Sequence, residues 1–256
     1  MICALMLGRE GSRGFPGKNT TPIVGRPLMA YPILAAKGSK NVSRIYVSTD
    51  APNIKSIARQ YGARVIDRPA ELCTPQALGD DAFAHGYRAI RDELKRENEE
   101  VELLILLFCN AATVSTELID QGIAALRADP RADSAVSVSR YNMWSPLRAR
   151  RENKDGYLDP FVPFETFGDP KTLNCDRDSQ GDVWFADMGL SIVRPRCLEN
   201  LSAGLLPQKW MGRHILPLKQ WGGCDVDYEW QMPGVEYWLR KQGYAEPEPA
   251  SRKEGA

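Results

Sequence analysis

Histidine is nearly absent from this chain, with only His85 and His214 among 256 residues, so a histidine-built metal centre is not expected. The six cysteines (Cys3, Cys73, Cys109, Cys175, Cys197 and Cys224) stand far apart and form no CxxC pair. That spacing argues against both a zinc site and a disulfide framework, and predicts reduced thiols. No run reaches the roughly 18 apolar residues that cross a bilayer, and the apolar stretch Ile2–Leu7 is too short for a signal sequence, so a cytoplasmic protein with no membrane partner is expected. Net charge is lacking too: 33 basic residues balance 33 acidic ones, which gives no support for a nucleic-acid partner and means that any anion site must be local.

What is present is material for a core. Hydrophobic residues make up 43% and charged residues 26% of the chain, an ordinary globular balance, and the length suits one large α/β domain with a modest appendage. Short apolar runs at Ile2–Leu7, Arg44–Thr49, Val101–Leu107 and Ser134–Ser139 read as strands. Between them, helical spacing marks Asn53–Tyr61, Asp81–Arg96 and Thr116–Leu126. Strands alternating with helices predict a parallel sheet covered on both faces, and the unbroken run Glu102–Phe108 belongs near its middle. Regularity fails over about residues 140–180, where Trp144, Tyr157, Phe161, Phe164 and Phe167 crowd among Pro, Asp and Gly. So many aromatics must pack on the main body or on a second subunit, which makes this segment an inserted arm. Residues 246–256 have the composition of a disordered tail.

The first strand runs into Gly8-Arg9-Glu10-Gly11-Ser12-Arg13-Gly14-Phe15-Pro16-Gly17-Lys18-Asn19, with glycine at every third position and three cations. Glycine permits close backbone approach, N–H groups can then point at phosphate oxygens, and Arg and Lys neutralise the charge beyond. Ligands of open α/β sheets bind at the carboxyl ends of strands, so position and chemistry agree. The glycine spacing fits neither the P-loop nor the dinucleotide fingerprint. Near the other end, Asp225-Val226-Asp227-Tyr228-Glu229 places acids at alternate positions, and in an extended segment all three share one face. Such a cluster calls for a cation. Mg²⁺, typically held by one or two carboxylates with water and substrate phosphates filling the rest, suits Asp225 and Asp227.

These segments resemble the cytidylyltransferases that activate acidic sugars, the CMP-sialic, CMP-legionaminic or pseudaminic, and CMP-Kdo synthetases. That family carries R-x-G-S-K-G-[IL]-P-x-K-N where this chain reads Arg9 to Asn19, with Arg13 in place of lysine. The likeness continues through Gly25-Arg26-Pro27-Leu28, Val47-Ser48-Thr49-Asp50 and Arg68-Pro69-Ala70-Glu71-Leu72 to Asp225-Val226-Asp227 and Glu236. The resemblance implies an α/β fold: a Rossmann-like (GT-A-like) nucleotidyltransferase domain over 1–245, with a mostly parallel central sheet and an inserted arm that makes a homodimer. It implies Arg9, Arg13 and Lys18 as catalytic cations on the triphosphate of CTP. Gly8, Gly11, Ser12, Asn19 and Arg68 would hold the nucleotide, and Asp225 and Asp227 the Mg²⁺. The reaction would be in-line displacement at the α-phosphorus by an oxygen of a small acidic acceptor.

The chain departs from that family in two places. Where the family shows Q-P-T-S-P-L-R after the central strand, this chain has Phe108-Cys109-Asn110-Ala111-Ala112-Thr113-Val114, without the glutamine and arginine of the acceptor side. Asp187-Met188-Gly189 replaces N-G-A and adds negative charge there, while Arg148 and Arg150 of the arm are candidates to meet an acceptor carboxylate. Two other readings follow: a nucleotidyltransferase using another NTP or a phosphonate or other small acid, and a non-catalytic nucleotide-binding module.

Overall fold

A computed structural model describes residues 1–246; the segment expected to be a disordered tail lies, apart from Glu246, outside the described residues. The strands are β1 (Ile2–Leu7), β2 (Pro22–Ile23), β3 (Arg26–Pro27), β4 (Arg44–Thr49), β5 (Arg64–Asp67), β6 (Leu103–Phe108), β7 (Ser134–Arg140), β8 (Arg150–Glu152), β9 (Leu158–Pro160), β10 (Trp184–Val193) and β11 (Ile215–Gln220). The helices are α1 (Ala30–Gly38), α2 (Pro52–Gln60), α3 (Gly79–Arg96), α4 (Thr116–Ala128), α5 (Pro195–Glu199) and α6 (Met232–Lys241).

Seven strands form one sheet in the order β11-β7-β10-β6-β1-β4-β5. Strand β6 takes the middle place, as its unbroken apolar run requires. The β1–β4, β1–β6, β4–β5 and β7–β11 pairs are parallel, and β10 runs antiparallel to both β6 and β7. The alternation of side chains along each strand divides the core in two. Ile2, Ala4 and Met6 of β1, with Leu103, Ile105 and Leu107 of β6, pack under α1, α2 and α4. Cys3, Leu5 and Leu7, with Leu104 and Leu106, pack under α3 and α5. Helix α3 presents Phe83, Tyr87, Ile90 and Leu94 at helical spacing to that second face, and Ser115 caps α4 by accepting from the Leu118 N–H at 3.2 Å.

A third, smaller cluster lies at one end, where Val235, Trp238 and Leu239 of α6 bury Leu28, Tyr31 and Val226. The arm leaves β7 and returns along β10, with Trp184 paired to Arg140, so both its ends are anchored in the sheet. It carries the β8–β9 hairpin and a run of exposed apolar side chains, among them Trp144, Tyr157 and Phe161.

Candidate active site

The loop after β1 folds back toward the chain's far end. Gly17, at φ 75°, reverses the backbone into a 3₁₀ turn over Lys18–Thr20. Gly14 is needed for a different reason: a Cβ there would stand 2.5 Å from the carbonyl oxygen of Asp227, so only glycine lets the loop lie against the acidic segment. Between the loop and the sheet opens a cleft of about 430 Å³. Its walls bring together Gly8, Arg9, Ser12, Arg13, Lys18, Asn19, Arg68 and Asp227, eight of the ten residues expected at the site. Gly11 stands clear of neighbouring atoms at φ 81°, outside the wall, and Asp225 is not among the residues that line the cleft.

Charge in this cleft is strongly asymmetric. Arg9, Arg13, Lys18 and Arg68 face it, against the single carboxylate of Asp227. Two of the cations are held in place: Arg9 donates to the Cys73 carbonyl at 3.3 Å, and buried Arg68 donates from Nε to Ser48 Oγ at 3.1 Å and from Nη2 to the Ser48 carbonyl. Burial lowers the Arg68 pKa from its ordinary value. Asn19 donates to the Arg9 carbonyl at 3.1 Å, tying the end of the loop to its start. Lys18 Nζ, largely buried, donates to Asp227 Oδ1 at 2.5 Å. The arrangement is a preset cationic wall suited to a polyanion.

The acidic segment is clamped from three sides. Val226 is fully buried against α6, so Asp225 and Asp227 on either side of it turn away from the core. The Val226 N–H donates to the Asn110 carbonyl at 2.9 Å, and Asn110 Nδ2 donates to the Val226 carbonyl at 3.0 Å and to Asp225 Oδ2 at 3.4 Å. Thr113 Oγ1 donates to the Cys224 carbonyl at 3.0 Å and accepts from its N–H at 2.9 Å. Gln231 Oε1 accepts from the N–H groups of Asp227 and Tyr228 at 2.7 and 2.8 Å. Asn110, Thr113 and Gln231 carry no motif by themselves; their roles exist only through the fold. Glu229 corrects the expected row of three acids, because it opens a 3₁₀ turn over Glu229–Gln231 and leaves the extended run.

Asp225 tests whether this segment fits a cation. Burial, then the like charge of Asp227, raises its pKa above the ordinary carboxylate range. The contribution of such a group to stability is present below its unfolded pKa and is lost as pH rises through the folded value. A cation beside Asp225 would offset the like charge of Asp227. Among the described residues no group of three or more His, Cys, Asp or Glu forms a metal cluster. Two hard carboxylates beside a phosphate-sized cleft nevertheless match the donor set Mg²⁺ takes when substrate phosphates and water complete its shell.

On the far side of Asp225 lies a second cavity, of about 660 Å³, with Asp187 in its wall. Asp187 is buried, and accepts from Ser137 Oγ at 2.5 Å, Ser139 Oγ at 2.6 Å, Gln220 Nε2 at 2.9 Å and the Gly189 N–H at 3.1 Å. Arg148 and Arg150 are not brought to either of these cavities. Arg148 donates to the Cys175 carbonyl at 2.6 Å and Arg150 to the carbonyls of Leu147 and Ala149, so both guanidiniums serve the arm's own turns. Glu236 is likewise removed from the site, paired with Arg240 one turn along α6.

With this geometry in view, the family described as "Cytidylyltransferase" matches residues 3–148, more than half of the chain. The chain belongs to the cytidylyltransferase family. This cytidylyltransferase is similar to the N-acylneuraminate cytidylyltransferase of Oncorhynchus mykiss, at 34% identity over 95% of this chain and 51% of that protein. A shorter stretch, 25% of this chain and 28% of the relative, is 47% identical to the CMP-N,N'-diacetyllegionaminic acid synthase of Legionella pneumophila. The chain thus spans about half or less of the length of these curated relatives. A solved structure of CMP:2-keto-3-deoxy-manno-octonic acid synthetase complexed with CTP superposes with a TM-score of 0.64, over 94% of this cytidylyltransferase and 99% of that chain. At 15% identity that likeness is one of fold.

Proposed function

We propose that this cytidylyltransferase moves CMP from CTP to an acidic sugar, with Mg²⁺ and release of pyrophosphate. The observation that carries the reading is the cleft in which four cations meet Asp227, with Asp225 two residues away on the same segment. The names of the relatives support an acidic-sugar acceptor. In the proposed step an acceptor oxygen attacks the α-phosphorus, a P–O bond forms, and the bond from the α-phosphorus to the β-phosphate oxygen breaks. Arg9, Arg13 and Lys18 neutralise the triphosphate, Arg68 and Asn19 shape the nucleotide side, and the departing pyrophosphate stays among the same cations. Asp225 and Asp227 would hold Mg²⁺, which when bound supplies Lewis-acid stabilisation of charge on the phosphates. The cytoplasm, where thiols stay reduced, suits the six free cysteines.

The test is pyrophosphate release from purified protein with Mg²⁺ and each of CTP, GTP, UTP and ATP, against a panel of nonulosonic acids, Kdo and simple phosphonates. CTP-specific release with a sugar acid is the expected result. Release with another nucleotide or a phosphonate would replace the substrate, and silence throughout would leave a nucleotide-binding module. The arm, with Tyr157 and Phe161 exposed, supports a homodimer as part of this proposal. A clean monomer in sedimentation at micromolar concentration would remove it.

A further inference from the structure

The second cavity is built unlike a site for an anion. Six aromatic side chains (Tyr141, Trp144, Phe185, Trp221, Trp230 and Tyr237) supply most of its wall, and no Lys, Arg or His is among the residues that line it. Asp187, the carboxylate in its wall that is not assigned to the cation, is without a salt bridge among the described residues. The four groups that donate to Asp187 are hydroxyls, an amide and a backbone N–H, which solvate its charge without cancelling it. Aromatic faces attract cations through their ring quadrupole, and the Asp187 carboxylate in the same wall adds to that field. A carboxylate placed here would meet like charge and no counter-ion.

The cavity shares the Cys224–Asp227 segment with the nucleotide cleft: Asp225 lines one and Asp227 the other. A molecule seated in it therefore lies on the other side of that segment from the cleft. We infer that the aromatic cavity seats a positively charged amino group of the acceptor, so that the acceptor is an amino-substituted sugar acid. This rests on the CMP-transfer reading for the name of the occupant, but the charge preference of the cavity stands by itself and is measured separately. Trp144 and Trp230, at 67% and 74% exposure, are the most exposed of the six rings.

The experiment is a tryptophan-fluorescence titration of the full chain with three probes of one shape and different charge: choline, 3,3-dimethylbutan-1-ol and 3,3-dimethylbutanoate. Choline is expected to bind about tenfold more tightly than the neutral alcohol, with the carboxylate weakest. Trp144→Leu, which removes a mostly exposed ring, should erase the preference while CTP binding, followed by calorimetry, stays unchanged. Equal or tighter binding of the alcohol or the carboxylate, or no binding of any probe, would overturn the inference. So would quenching that follows protein concentration and not probe. Pyrophosphate release with CTP and an unsubstituted sugar acid would leave CMP transfer standing and defeat the amino-group assignment alone if the aminated analogue were no better than that acid.

Discussion

Two cavities flank one short stretch of backbone, and they are opposites. The cleft under the glycine-rich loop has four cations and one carboxylate in its wall; the cavity on the other side has six aromatic rings and no cation. The first is assembled from a loop whose spacing is visible in the chain and whose side chains are held by backbone carbonyls. The second is assembled from β10, the entrance of the arm and the turn before α6, segments far apart in sequence. On the proposed reading, the difference teaches that nucleotide handling and acceptor choice rest on separable parts, joined at the segment that carries Asp225 and Asp227. Changes at the joint should hurt both functions, and changes on one side only one.

The largest effect is expected at the joint itself. Asp227→Asn should lower kcat by at least ~100-fold, because a metal clamp supplies several kcal/mol of charge stabilisation in the transition state. Its side chain is 58% exposed, so thermal unfolding followed by circular dichroism should barely move. Near-normal turnover would detach the cation from this segment. A smaller effect should follow Asn110→Ala, which removes the donor to Asp225 and to the Val226 carbonyl. The Mg²⁺ activation curve should shift about tenfold to higher concentration, the lower end of what loss of a ligand-orienting group costs. An unshifted curve with reduced kcat would place Asn110 on substrate instead. The smallest and most selective change is Gly223→Ala, whose Cβ would stand 2.3 Å from Asp187 Oδ2 and 2.5 Å from Gln220 Nε2. Relief of that crowding should cost about 1–3 kcal/mol of stability and raise KM for the acceptor several-fold, leaving KM for CTP as it was. Parallel rises in both constants would break the separation between the cavities.

Much of the nucleotide half was legible because its signals are local. Strands β1 and β4 match their predicted limits, and β6, β7, α2, α3 and α4 fall within two residues or so of theirs, since apolar runs and helical spacing both report burial directly. Helix α1 left no such trace: Ala30, Tyr31, Pro32, Ile33, Ala35 and Ala36 are all buried, so it lacks the contrast between faces by which an amphipathic helix is read. Strand β11 was missed for a related reason, with a proline and a lysine in a six-residue edge strand. At the site, Arg9 and Lys18 could be read from composition and spacing, and Arg68 only from the resemblance. Asn110, Thr113 and Gln231 could not, because each acts through one hydrogen bond or two to a segment that is distant or newly turned, and such pairings leave no period in a chain. Arg148 and Arg150 show the opposite error, in which chemically apt residues are consumed by neighbouring carbonyls.

The burial of Val226 beneath α6 has a consequence beyond packing. The two aspartates keep their places only while the residue between them stays anchored, and its anchor is the last helix described, a ten-residue element with one apolar side. Terminal elements of this kind open at lower free energy than a central sheet. On the proposed reading, detachment of α6 would silence turnover while the rest of the described residues remained folded, which makes this helix a fuse for the chemistry: warming or mild denaturant should extinguish turnover before the sheet gives any sign of melting.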